Sequence, residues 1–93
     1  GAAHMWRNHG ITIEVAGDAL SDANRVVITP DYNSISGRSA RVIGYSALAG
    51  EVITVIIVED EGVVYGVNGW VSNIKDRGIY RDGSDREQGR TNE

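Results

Sequence analysis

The longest apolar run in the chain is the segment 52–58, Val-Ile-Thr-Val-Ile-Ile-Val. A run with so few polar positions predicts a strand that is buried on both faces, at the middle of a sheet. The acidic turn 59–62 ends in glycine and is too short for a crossover connection. The following strand, 63–68, is therefore predicted to pair with 52–58 as an antiparallel hairpin, the centre of the fold.

Capping signals predict one helix before the strands and one after them. Thr12 can accept hydrogen bonds from the first turn of a helix whose apolar stripe follows it. Asn73, with Asp76 three positions later, has the pattern of a second helix start. The predicted stripe of the first helix consists of Ile13, Ala16 and Leu20.

Two more strands are predicted at 25–29 and 40–46, joined by a surface loop at 31–39 that is rich in Ser, Asn and Gly. The order is then a helix, four strands in an antiparallel meander, and a C-terminal helix, which is an α+β fold. We expect both helices to cover one face of the sheet and to leave the other partly open as a groove.

Composition predicts one small domain. The chain has 93 residues and no cysteine, which excludes a disulfide framework and a thiolate metal site. No apolar run reaches the roughly 18 residues of a membrane helix, so a cytoplasmic protein is expected. Neither a metal nor a cofactor is expected. Residues 1–5 are expected to be a cloning remnant that ends in a start methionine, 6–80 to form the domain, and 81–93 to be a disordered tail.

The net charge of −4 is unusual for a protein that binds nucleic acid. A local basic patch is still possible, because the segment 38–45 contains two arginines and no acidic residue. Four acidic residues instead lie at the ends of the central hairpin: Glu51, Glu59, Asp60 and Glu61.

Several short motifs, in order and spacing over 8–80, resemble the BrnT family of small ribonuclease toxins. These are His9-Gly10-Ile11-Thr12, the segment 37–46 (Gly-Arg-Ser-Ala-Arg-Val-Ile-Gly-Tyr-Ser), the apolar strand, and Asp76-Arg77 with Tyr80. The resemblance implies a RelE-like fold, RNA cleavage that inhibits translation, and neutralisation by a ribbon-helix-helix antitoxin. The chain departs from the family at 68–70, where Asn-Gly-Trp stands in place of the usual Ser-Ala-Arg.

Metal-free RNA cleavage requires proton transfer and cations that stabilise the charged phosphorane. The predicted catalytic residues are Arg41 and Arg77 as phosphate-binding cations, with His9 or Tyr80 moving protons or orienting the substrate. The predicted substrate-binding residues are Arg38, Tyr45, Asn68 and Trp70.

Each of these residues also has a structural interpretation. His9 could anchor the loop before the first helix, Arg77 could pair with Glu14 or Asp76, and Arg41 could be a solvated sheet residue. Tyr80 could pack beneath the last helix. Trp70 could be a junction anchor or an antitoxin contact.

The alternative function is therefore a catalytically inactive, toxin-like module that binds a protein. Assembly with an antitoxin is expected, and pairing of copies through an exposed sheet edge is a further possibility.

Overall fold

The computed structural model describes the backbone of residues 4–6 and 10–90 and the side chains of residues 10–83. Within that part of the chain, no helix is long and apolar enough to cross a membrane. The α+β class and the four-stranded antiparallel meander between two helices are confirmed. The elements are β1 (His4–Trp6), α1 (Ile13–Ser21), β2 (Val26–Ile28), β3 (Ser39–Ser46), β4 (Glu51–Asp60), β5 (Val63–Val71) and α2 (Ile74–Arg90).

The sheet has the order β1-β5-β4-β3-β2, with the apolar strand β4 at its centre as the sequence predicts. The fifth strand, β1, pairs in parallel with β5 and includes His4 and Met5, which the sequence assigns to a remnant. A β-bulge in the β4–β5 pair makes Val67 an extra residue of β5, because Ile56 pairs with Asn68 and Ile57 with Gly66. Such a bulge changes the direction of the side chains around it.

The two helices lie on opposite faces of the sheet, so the prediction that both cover one face is wrong. Gly44 lies against the backbone of Ala19 in α1, whereas Arg41 contacts Asp76 in α2. Because side chains alternate along a strand, positions 41 and 44 of β3 point to opposite faces. We call these the α1 face and the α2 face.

Helix α1 begins as predicted, since the Thr12 hydroxyl accepts a hydrogen bond from the Val15 amide at 3.2 Å. The predicted stripe is only partly correct. Ala16 and Ala19 are the helix residues that are fully buried against Ile53 and Val55, and Leu20 packs beside them. Ile13 is 51% exposed, because the helix approaches the sheet through its small residues instead.

Helix α2 begins after Asn73, whose side-chain oxygen accepts from the Asp76 amide at 2.9 Å, so the predicted cap is confirmed. The polar composition after Tyr80 predicts disorder, but the helical backbone of α2 continues to Arg90. Gly83 lies against the Val26 side chain. A glycine at this position therefore allows the extended helix to pass close over the edge strand β2.

Gly44→Ala should destabilise the fold by about 1–3 kcal/mol, because its new methyl group would overlap the carbonyl oxygen of Ala19. Gly17→Ala is the matched control. No atom lies within 4 Å of the position of a methyl group at Gly17, so this change within α1 should stabilise the protein by up to about 1 kcal/mol. Urea unfolding of the two variants measures the difference. Equal stability of the two variants would contradict the close approach of α1 to β3.

Candidate functional site

Arg41 is the centre of a buried cluster on the α2 face. Its side chain is only 3% exposed, although it lies in the middle of a strand. Its Nε atom donates to Asp31 Oδ1 at 2.6 Å, and its Nη1 atom donates to Asp76 Oδ2 at 2.6 Å. Asp76 is completely buried. The Nε and Nη1 atoms of the guanidinium group thus both donate to carboxylates of the same chain.

Neutral hydroxyl groups complete this cluster. The Tyr32 hydroxyl accepts from Arg41 Nη1 and donates to Asp76 Oδ1, each at 2.6 Å. Thr54 Oγ1 donates to Asp76 Oδ2 at 2.8 Å and lies 2.7 Å from Ser72 Oγ. Within the described side chains, no buried polar atom lacks a hydrogen-bond partner. We refer to Asp31, Tyr32, Arg41, Thr54 and Asp76 as the arginine cluster.

Four segments of the chain form the arginine cluster, one of which is β3 with Arg41 itself. Asp31 and Tyr32 stand at the start of the loop before β3, and the Asp31 amide donates to the Ser39 carbonyl at 2.8 Å, which closes this loop. Thr54 is on the central strand, next to β3. The cap at the start of α2 fixes Asp76 directly above the sheet.

The pKa shifts within the cluster favour the charged forms of Asp76 and Arg41. Burial tends to raise the pKa of Asp76, but hydrogen bonds from Tyr32, Thr54 and Arg41 outweigh burial and lower it. Burial tends to lower the pKa of Arg41, but the hydrogen bonds to Asp31 and Asp76 raise it. Burial and the bond to the Asp76 carboxylate raise the pKa of Tyr32. Tyr32 therefore stays protonated at neutral pH and donates its hydroxyl proton to Asp76 in a hydrogen bond.

Aromatic rings lie on the solvent side of the cluster. The Arg41 guanidinium carbon is 4.0 Å from the centre of the Tyr32 ring and 5.5 Å from that of Trp70. The Lys75 ammonium group is also 4.0 Å from the Tyr32 ring centre. These distances are typical of cation–π contacts, which further hold Arg41 in place.

The structure brings some of the predicted site residues together. Trp70 pairs with Thr54, and Asn68 pairs with Ile56, which is opposite Arg41 in the next strand pair. Side chains that face each other across strands share a face, so Arg41, Asn68 and Trp70 all belong to the α2 face.

A second group of predicted residues lies elsewhere. Tyr45 is four residues along β3 from Arg41, or about 13 Å. The Tyr80 hydroxyl donates to Asp22 Oδ2 at 2.6 Å, and the same carboxylate oxygen accepts from the Tyr45 amide at 2.8 Å. The hydrogen bond of Tyr80 thus joins α2 to the end of α1.

The remaining predicted residues do not join the arginine cluster. Arg77 follows Asp76 in α2, about 100° further around the helix, and is exposed. Within residues 10–83 its side chain makes no ion pair, so it pairs with neither Glu14 nor Asp76 there. His9 lies outside the described residues.

Arg38 belongs to a groove on the α2 face. Its guanidinium group is largely exposed and lies 4.0 Å from the Asp60 carboxylate. The groove has a volume of about 430 Å³ and runs between the loop before β3 and the bulged strand β5. We call it the sheet groove; it is lined by Ser36, Arg38, Val58, Asp60, Tyr65 and Val67.

Sequence reasoning missed Asp31, Tyr32 and Tyr65. The first two fall in a segment whose composition predicts only a surface loop. One signal was present: an arginine at a strand position flanked by buried apolar residues requires carboxylate partners. No group of three or more His, Asp or Glu side chains within the described residues is arranged to hold a metal ion.

Comparison of the chain with models of known protein families, with curated proteins and with solved structures finds no significant match. The resemblance to BrnT toxins, and the activity that it implies, therefore stay predictions.

Arg41→Ala should destabilise the protein by about 3–5 kcal/mol, because it leaves the carboxylates of Asp31 and Asp76 buried without their cation. Arg38→Ala is the control, since its ion pair is long and exposed, and its effect should be within about 0.5 kcal/mol. Chemical denaturation measures both values. An Arg41 variant as stable as the Arg38 variant would contradict the structural role of the cluster.

Tyr80→Phe should cost about 1–2 kcal/mol between pH 5 and 9, because it removes a hydrogen bond to the Asp22 carboxylate. Burial and Asp22 raise the pKa of Tyr80 to about 12. The stabilisation by Tyr80 is therefore fully present below its ordinary pKa of 10.0 and disappears as the pH rises towards 12.

The same bond also makes stability depend on pH at acid pH, because it lowers the pKa of Asp22. Burial tends to raise the pKa of Asp22, but hydrogen bonds from Tyr80 and two backbone amides lower it below 3.8. The difference in unfolding free energy between the parent and Tyr80→Phe should therefore also shrink as the pH falls below about 4. Urea unfolding across the pH range measures this difference. A difference that is constant from pH 3 to 12 would refute the bond between Tyr80 and Asp22.

Proposed function

We propose that this chain is a protein-binding module of the toxin–antitoxin type, which holds its partner in the sheet groove and does not cleave RNA through Arg41. The observation that carries the proposal is the groove itself. Half of its lining residues are apolar or aromatic: Val58, Tyr65 and Val67. The β-bulge leaves Val67 38% exposed there, where a partner side chain can cover it.

The charges of the groove favour a protein over a nucleic acid. Arg38 and Asp60 are its only charged lining residues among those described, and their charges cancel. A nucleic-acid site needs an excess of cations to neutralise phosphates. A protein segment with an apolar face and a polar rim meets the groove without that requirement.

The arrangement of the arginines also supports binding rather than catalysis. A guanidinium group that stabilises a phosphorane must present free N–H donors to the phosphate oxygens. Arg41 is buried and donates to Asp31, Asp76 and Tyr32. Releasing it would leave two buried carboxylates unpaired, at a large cost in stability.

The resemblance to BrnT toxins gives the proposal its biological setting. The partner would be a ribbon-helix-helix antitoxin in the cytoplasm, encoded beside this chain. Trp70, which is half-buried next to Arg41 on the same face of the sheet, would contribute to the contact. Asn68, also on this face, would lie along the same surface.

The second candidate function is the ribonuclease toxin itself, which one observation favours. Arg77 is exposed, has no ion pair within the described residues, and lies one helical turn before Tyr80. A free arginine on α2 can bind a phosphate without disturbing the buried cluster. This candidate assigns the main cationic role to Arg77, with Arg38 at the edge of the substrate.

Val67→Asp should abolish binding to the protein encoded by the adjacent reading frame, because it places an unpaired charge in the sheet groove. Val71→Asp is the matched control: Val71 is on the same strand and is 47% exposed, but its partner Ile53 belongs to the α1 face. Co-expression and titration calorimetry measure the complex. Loss of binding in both variants, or in neither, would place the partner elsewhere.

Expression of the chain alone in a bacterial host separates the two candidates. The binding module predicts normal growth and stable messenger RNA. The ribonuclease predicts growth arrest that Arg77→Ala relieves and that Lys75→Ala, a nearby exposed cation on α2, does not. Arrest with this pattern would overturn the binding module in favour of the nuclease.

A further inference from the structure

The free edge of strand β2 has a shape that fits a second copy of the chain. Among the described residues, β2 is the last strand of the sheet and pairs only with β3. Its central residue, Val27, is 52% exposed and belongs to the α1 face, because it pairs with Val42. Helix α1 packs mainly on β3 and β4, so the described residues leave this strip of the α1 face open at Val27.

A cavity of about 420 Å³ lies on this open strip. Its walls include the apolar side chains of Val27, Pro30, Ala40 and Ile57. It differs from the sheet groove, which lies on the opposite face. We call it the edge cavity.

Next to the edge cavity is a fully exposed isoleucine. Ile35 has a relative exposure of 104%, the largest value among the large hydrophobic residues of the described part of the chain. It stands in the loop that the bond between Asp31 and Ser39 closes. Gly37, which lines the cavity, is two residues away, or at most about 7.6 Å between Cα atoms.

We propose that two copies of the chain associate about a two-fold axis, with Ile35 of each copy inserted into the edge cavity of the other. A two-fold interface is self-complementary, so a projecting residue and its receptor must lie on the same patch. Ile35 and the edge cavity meet that condition. The insertion removes an exposed apolar side chain from water and covers the free edge of β2.

The charged residues that line the edge cavity are also self-complementary across a two-fold axis. Arg38 and Glu59 both line the edge cavity. A two-fold axis between the loop and the cavity brings Arg38 of one copy beside Glu59 of the partner subunit, and the reverse. A cation and an anion on one patch each attract the opposite charge of the second copy. This attraction offsets the repulsion between two chains of net charge −4.

Sedimentation velocity of the chain tests this dimer. With rising protein concentration, the parent should shift from the 10.0 kDa chain mass to twice that mass. Ile35→Asp should weaken self-association about tenfold or more, because a charge replaces an apolar side chain that the interface buries. Ile74→Asp is the control: Ile74 is 80% exposed at the start of α2, away from the edge cavity, and the variant should dimerise like the parent.

Charge exchange gives a second readout that does not depend on Ile35. Arg38→Glu should weaken the dimer, and the double variant Arg38→Glu with Glu59→Arg should restore it. Circular dichroism verifies that each variant is folded. A parent that remains monomeric at every concentration, or an Ile35→Asp variant that dimerises like the parent, would overturn the proposal. The dimer does not rest on the proposed function, because the Val67→Asp variant should leave it unchanged.

Discussion

The interaction on which the structure depends is the pairing of one buried arginine with two buried aspartates. Arg41 stands in the middle of β3, where the neighbouring positions Val42 and Ile43 are also buried. A charge in such a place is tolerated only if its donors are satisfied. Asp31 supplies one acceptor from the loop before β3, and Asp76 supplies another from α2. The position of the loop and that of the helix therefore follow from this one residue.

Periodicity predicted the strands well because burial on a sheet acts on residues close together in the chain. The apolar run at 52–58 and the alternation in 40–46 each contain their own evidence, and the structure places them in β4 and β3. The side on which α2 packs depends instead on the contact between Asp76 and Arg41, which are 35 residues apart. No local pattern contains that contact, so the prediction that both helices share a face was wrong.

The candidate site shows the same division. Arg41, Asn68 and Trp70 belong to one face of the sheet, which strand alternation makes predictable once the strands are known. Whether Arg41 is free to bind a ligand was not predictable in this way. Its partner Asp31 lies in a polar segment whose composition is that of an exposed loop. A residue type thus indicates what a side chain can do. Only its partners determine whether it is free to do so.

The charges near the cluster support the proposal of binding over that of catalysis. Two carboxylates and one guanidinium group leave the buried cluster with a net charge of −1, close to the surface at Tyr32. The Lys75 ammonium group, 4.0 Å from the centre of the Tyr32 ring, offsets this charge. A phosphate that approached here would meet a site already close to neutrality, without the excess of positive charge that phosphoryl chemistry requires. Binding of a protein requires no such excess, and the sheet groove, in which the charges of Arg38 and Asp60 cancel, is the surface on which we base that proposal.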